Sequence, residues 1–143
     1  MTKKLFALLI TLTVISTSNA FADWVVPVSS LPQKSKSFIQ QVYPNAQIWM
    51  VERDVGKFEV KLSNGVQIDF LHNGNWHSID GEYNAVPYNA LPANIANTIR
   101  NTYPQAAVIE AEKEWGNYKI KLNNFMELLI SGNGQLIAQK FDD

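Results

Sequence analysis

Residues 26–80 and 86–140 are one sequence written twice, sixty residues apart and without a gap, with fifteen of the fifty-five paired positions identical. The identities include Leu31-Pro32/Leu91-Pro92, Tyr43-Pro44/Tyr103-Pro104, Gly56/Gly116, Lys61-Leu62/Lys121-Leu122 and Asn73-Gly74/Asn133-Gly134. A repeat of this period defines one supersecondary unit, so it limits the fold before any single residue is weighed. A unit of about 60 residues buries only about 60% of its unfolded surface and is marginal alone. The expectation is therefore one domain over 23–143, made of repeats 26–83 and 86–143 that share a sheet or a core.

Within one repeat, Leu31 to Val42 reads as a helix. Pro32 suits its first position, where a missing N–H costs nothing. Ser35, Phe38, Ile39, Val42 and Tyr43 fall on one face, as do Ile95, Ile99, Thr102 and Tyr103 in the second copy. Pro44 and Pro104 stop each helix, because the residue before a proline is pushed out of the α region. Four strand-like runs follow, beginning with Gln47 to Arg53 and ending with Trp76 to Asp80. Phe58-Glu59-Val60-Lys61-Leu62 and Val66-Gln67-Ile68-Asp69-Phe70 alternate with period two. Asn64-Gly65 between them reads as a tight primed turn. The unit is α-β-β-β-β, and the fold class is α+β with antiparallel pairing. Ile48 to Val51 is apolar on both faces, which leaves a bulge open there.

The ends and composition restrict the setting. Lys3-Lys4, the apolar run Leu5 to Ile15 and Ala20-Phe21-Ala22 have the form of a signal peptide over residues 1–22, cleaved after Ala22. The run is too short to cross about 30 Å of hydrocarbon comfortably, so no membrane anchor is expected after cleavage. The expected location is the bacterial periplasm or outside the cell. With no cysteine, neither lipidation nor a disulfide framework is available. Removing Lys3 and Lys4 from the twelve basic groups leaves ten against thirteen acidic ones, a net charge of −3. That argues against a generic nucleic-acid or anionic-membrane binder, which needs a basic surface.

The order of these motifs resembles the PepSY-like family. The elements are Leu-Pro opening a helix, Tyr-Pro closing it, "FEVKLSNG" over 58–65, "VQIDFLHNGNW" over 66–76, and the whole repeated. The resemblance implies the fold of β-lactamase inhibitor proteins: one curved antiparallel sheet of about eight strands, with helices on one face and an open concave face. It further implies exported proteins mostly of unknown function, the best understood of which bind another protein across the concave face. This chain departs from the pattern where Phe125 replaces Gly65, which predicts a looser second turn, and in lacking the bracing cysteines.

If the apolar residues of the alternating strands face the helices, their neighbours face outward. The candidate partner-binding residues are then Glu59, Lys61, Asp69, Lys121, Phe125, Glu127 and Leu129, with Trp115 at a turn beside Gly116. Asp69 becomes Leu129 and Gly65 becomes Phe125, so the second repeat is the more apolar. An apolar patch rimmed by Lys and Glu suits a protein or peptide partner. The opposing reading is that Phe141 or the lead-in around Trp24 covers those residues. Trp49 and Trp76 have aliphatic counterparts, Ile109 and Leu136, which favours a core role for both. No order of Ser, His and Asp at an elbow, no Cys and no Gly-rich phosphate loop is present, so neither an enzyme nor a cofactor is expected. The alternative is a small-molecule or cation sensor using His72, His77, Asp69 and Asp80. His72 and His77 become Gly132 and Ile137, which favours plain surface histidines and no metal site.

Overall fold

The Leu-Pro and Tyr-Pro pairs bracket one helix in each repeat, α1 (Gln33–Val42) and α2 (Ala93–Thr102). A computed structural model describes residues 24–142, so the expected leader and its cleavage point lie outside the described residues. Pro32 and Pro92 stand one place earlier than expected, as N-caps with extended ψ of 144° and 146°. The position suits proline because an N-cap contributes its carbonyl. Pro32 O accepts from the N–H of Lys36 at 3.2 Å, and Pro92 O from that of Ala96 at 3.0 Å. Before the closing prolines, the Tyr43 and Tyr103 N–H groups still donate to Ile39 O and Ile99 O. Among the described residues no helix is long and apolar enough to cross a membrane.

The strands are β1 (Trp24–Val26), β2 (Ile48–Asp54), β3 (Lys57–Leu62), β4 (Gln67–Leu71), β5 (Trp76–Asp80), β6 (Val108–Glu114), β7 (Asn117–Leu122), β8 (Met126–Ser131) and β9 (Leu136–Phe141). They form one open antiparallel sheet in chain order. The sheet has nine strands, one more than the repeat predicts. The extra strand is β1, which pairs with β2 through Val25↔Glu52 and Val26↔Val51. Strand β5 meets β6 in the same register, Ser78↔Glu112 and Ile79↔Ala111. Thus β1 stands in front of the first repeat as β5 stands in front of the second.

One cross-strand line carries the core. Val51, Val60, Ile68, Ile79, Ala111, Ile120 and Leu128 are paired neighbour to neighbour from β2 to β8. All are at most 1% exposed, so this face of the sheet is sealed from β2 to β8. Ile39 and Val42 of α1 and Ile95 and Ile99 of α2 belong to the same hydrophobic cluster. Trp76 ties the repeats together: its ring lies 6.3 Å from Phe38 of α1 and 6.1 Å from Tyr118 of β7. The Lys113 ammonium sits 4.1 Å over it, and burial, with Lys34 nearby, lowers the pKa of Lys113.

The Asn-Gly pairs at 73–74 and 133–134 anchor the helices. Gly74 has φ of 90°, and a Cβ there would lie 3.0 Å from Lys34 Cβ and 3.2 Å from Pro32 Cβ. The Ser35 hydroxyl donates to Gly74 O at 2.9 Å, and the Thr98 hydroxyl donates to Gly134 O in the second repeat. Only glycine allows that approach, which accounts for its presence in both copies. Both first strands carry the bulge left open by sequence, at Ile48/Met50 and Val108/Glu110. We expect Leu128→Ala to remove about 2–5 kcal/mol of unfolding free energy, as deep core truncations do. A urea titration would measure it; a loss below 1 kcal/mol, on the order of a surface change, would contradict the sealed line.

Candidate functional site

Because the line above faces the helices, the next residues along each strand face the other way. They form two rows across the open face. The first runs Glu52, Glu59, Asp69, Ser78, Glu112, Lys119, Leu129, Ala138. The second runs Met50, Lys61, Gln67, Asp80, Glu110, Lys121, Glu127, Lys140. Six of the eight candidate residues, Glu59, Lys61, Asp69, Lys121, Glu127 and Leu129, lie in these rows. They do not form one cluster: Asp69 and Leu129 are four strands apart, roughly 19 Å at the usual strand spacing.

In the first repeat the face is acidic, and its carboxylate at Asp69 is covered. Asp69 is only 9% exposed, and its Oδ2 takes the Lys57 ammonium at 3.0 Å. That hydrogen bond raises the Lys57 pKa above its ordinary 10.5. Asp69 is thus held within the sheet surface rather than presented to solvent. Since Lys57 is charged more readily folded than unfolded, its contribution to stability is full below pH 10.5 and fades as pH rises through the higher folded value. The stability gap between the native chain and Lys57→Met should therefore be constant from pH 7 to 9 and narrow above pH 10.5. Melting curves across that range would check it, and a gap that widens would contradict the pairing.

The second repeat holds the apolar ground. Leu129 and Ala138 floor a shallow depression of about 310 Å³, with Lys119, Glu127, Lys140 and Glu114 around it. Glu127 is largely covered, because the Lys119 and Lys140 ammoniums both reach its Oε1 at 3.7 Å. A second cleft of about 370 Å³ opens at the sheet end between Tyr83 and Phe125, over Ile109 and beside Lys121. Lys121 pairs with Asp142 at 3.2 Å and with Glu110 at 3.7 Å. The hydrogen bond to Asp142 is the main reason its pKa is raised. Phe141 lies 6.1 Å from Phe125, yet both rings stay 62% exposed, so the tail touches Phe125 without covering it. Trp24 pairs with Arg53 at the far edge of the sheet and covers none of these residues.

Two turns and one strand residue depart from expectation. The turn after Leu122 is not looser: the Phe125 N–H donates to Leu122 O at 3.2 Å, as the Gly65 N–H does to Leu62 O at 3.0 Å. Phe125 instead adopts the left-handed φ of 67° that Gly65 adopts at 89°. Asn64 does not share that conformation, so the turn is not a primed pair; Asn64 Oδ1 accepts the Val66 N–H at 3.1 Å. Trp49 is 72% exposed, against the expected core role; β6 carries the same bulge, but there the Gly81–Val86 segment runs alongside, its Val86 N–H donating to Val108 O. Its counterpart Ile109 is buried, with the Gly81 N–H donating to its carbonyl. Trp76 is buried as expected, while Trp115, with φ of 52°, is 94% exposed at the opposite end of β7 from Phe125. The residues that sequence reasoning passed over are Tyr83, Ala138 and Lys140. Ser78→Ala138 and Asp80→Lys140 are visible as mismatches between the copies.

His72, His77, Asp69 and Asp80 do not converge. The His72 ring packs 5.2 Å from Phe58, and His77 Nε2 lies 3.8 Å from Glu112. Asp80 Oδ1 accepts the Glu82 N–H at 2.8 Å. Among the described residues no group of three or more His, Cys, Asp or Glu is arranged to hold a metal ion.

A family model described as "Putative beta-lactamase-inhibitor-like, PepSY-like" matches residues 21–70 and again 56–138. The chain belongs to the PepSY-like family. Two overlapping matches are consistent with the tandem repeat. No curated protein matches the sequence. Among solved structures, a "putative periplasmic protein" of the DUF2874 family from Bacteroides vulgatus is 26% identical, with a TM-score of 0.78 over 85% of this chain and 98% of that one. A "putative calcium-regulated periplasmic protein" from Bacteroides thetaiotaomicron is 28% identical, with a TM-score of 0.76 over 82% and 96%. Another "putative periplasmic protein of unknown function" from B. vulgatus, 22% identical, shares the fold at a TM-score of 0.75 over 83% and 99%.

A left-handed φ at a residue bulkier than glycine costs roughly 1–2 kcal/mol. For this PepSY-like chain, Phe125→Gly should leave stability unchanged or raise it by up to about 1 kcal/mol, after the entropy lost to glycine. Gly65→Phe should lower it. Paired urea titrations would check both; a clear loss in Phe125→Gly would show that the ring has a structural role instead.

Proposed function

We propose that the chain is an exported, non-enzymatic binding module that engages a protein or peptide through the open face of the second repeat. The observation that carries this reading is the Leu129–Ala138 depression with its lysine and glutamate rim, continuing through Lys121 to the exposed Phe125. An apolar centre with a charged rim is the anatomy of a protein interface. Phe125 adds to the argument, since a strained, exposed aromatic ring persists only where something other than local stability retains it. The family supports export and a binding role by analogy, because a shared fold alone does not carry function. The leader-like residues 1–22 and the periplasmic descriptions of the relatives support the envelope as its setting.

The test is the triple variant Phe125→Ser, Leu129→Ser, Lys121→Ser as bait in envelope extract beside the native chain. It should lose the captured protein while its melting temperature stays within a few degrees. Undiminished capture would remove this surface from consideration.

The description of one relative as calcium-regulated belongs to that relative. Here the candidate ligands stand on separate partners, so we expect millimolar Ca²⁺ to leave the melting temperature unmoved. A ligand held only by the folded state at 100 times its Kd would add about 2.7 kcal/mol. A rise of that order would favour the sensor reading.

A further inference from the structure

Strand β9 ends the sheet, and among the described residues nothing pairs with its outer edge. An unpaired edge offers a row of N–H and C=O groups to another chain, and proteins usually blunt it by shortness, charge or proline. Strand β9 has six residues, no proline and one lysine, and Ile137, Ala138 and Phe141 are exposed along it; its one bulge precedes the Ala138–Lys140 stretch, as the equivalent bulge in β5 precedes Ser78–Asp80. By contrast, β1 at the opposite edge has three residues.

The first repeat shows what this edge accepts. There the equivalent strand, β5, carries β6 antiparallel on its outer side, through Ser78↔Glu112, Ile79↔Ala111 and Asp80↔Glu110. The sixty-residue offset makes Ala138, Gln139 and Lys140 the counterparts of Ser78, Ile79 and Asp80. A strand laid on β9 in that register sets one side chain beside Ala138, extending the Leu129–Ala138 floor. The side chain two residues away lies beside Lys140. That ammonium and Lys119 already share the single Glu127 carboxylate, so an added carboxylate is favoured there. Asp80 at the corresponding place in the first repeat has no such preference.

We propose that β9 takes up an extended segment of a partner protein as a tenth, antiparallel strand, with an apolar residue opposite Ala138 and an acidic one opposite Lys140. Main-chain bonds supply affinity in such an arrangement, and the flanking depressions read alternate side chains. This inference rests on the binding reading above and specifies how the partner is held.

The probe is a capped nonapeptide with the sequence of residues 107–115 carrying Glu112→Leu, which places Leu opposite Ala138 and Glu opposite Lys140. Titrated into the ¹⁵N-labelled chain, it should shift the β9 amides and slow their exchange. Lys140→Glu should weaken it about fivefold, the upper range for an exposed ion pair. A peptide with Lys in place of that Glu should recover the loss on Lys140→Glu. N-methylation of the peptide amides of one parity should abolish binding, and of the other parity leave it intact.

Unshifted β9 amides at millimolar peptide, or equal effects of both methylation parities, would overturn the edge proposal. So would a dimer in sedimentation that pairs β9 with β9, since the occupant would then be a second copy. If these fail while the triple variant still loses its partner, the open-face reading stands without the edge. If the triple variant keeps its partner while the β9 results hold, the edge stands and the face assignment falls.

Discussion

Everything in this fold hangs on the line of aliphatic side chains from Val51 to Leu128. Strand side chains alternate, so burying this line against two helices fixes the orientation of every other residue in the sheet. A slip of one residue in any strand would bring a charged row inward. The register is therefore held by the cost of burying Glu, Lys and Asp, and the hydrogen bonds follow it. The open face is a consequence of that packing, which is why its composition can vary between the copies while the line stays aliphatic.

The two halves use this freedom differently. In the first, Asp69 turns its open-face position into a covered ion pair with Lys57. In the second, the same position is Leu129, and the neighbouring lysines lean instead on Glu127. The first half covers its carboxylate, leaving Asp69 Oδ1 buried without a hydrogen bond, and the second keeps apolar surface.

Much of this was legible in the sequence. The helices, the alternating strands and the identity of the inward residues follow from periodicity and the proline pairs. The outward candidates follow by elimination. Three features were hidden, each for a physical reason. Strand β1 is three residues long and has no counterpart inside the repeat alignment, so no periodicity marks it. The exposure of Trp49 was hidden because its counterpart Ile109, at the same bulge, is buried beside the Gly81–Val86 segment, so the aliphatic counterpart argued the wrong way. The turn at Phe125 kept its geometry because its neighbours impose it, although propensity alone favours glycine. Which candidates share a site was also beyond sequence, because the distance from Asp69 to Leu129 is set by strand order.

The placing of Trp76 has an optical consequence. It is buried at the seam where α1, β5, β6 and β7 meet, while Trp24, Trp49 and Trp115 all stand in solvent. The chain thus carries an internal chromophore whose emission reports the joint between its two halves. Three outer ones are open to aqueous quenchers, so loosening of that joint can be watched separately from events on the surface.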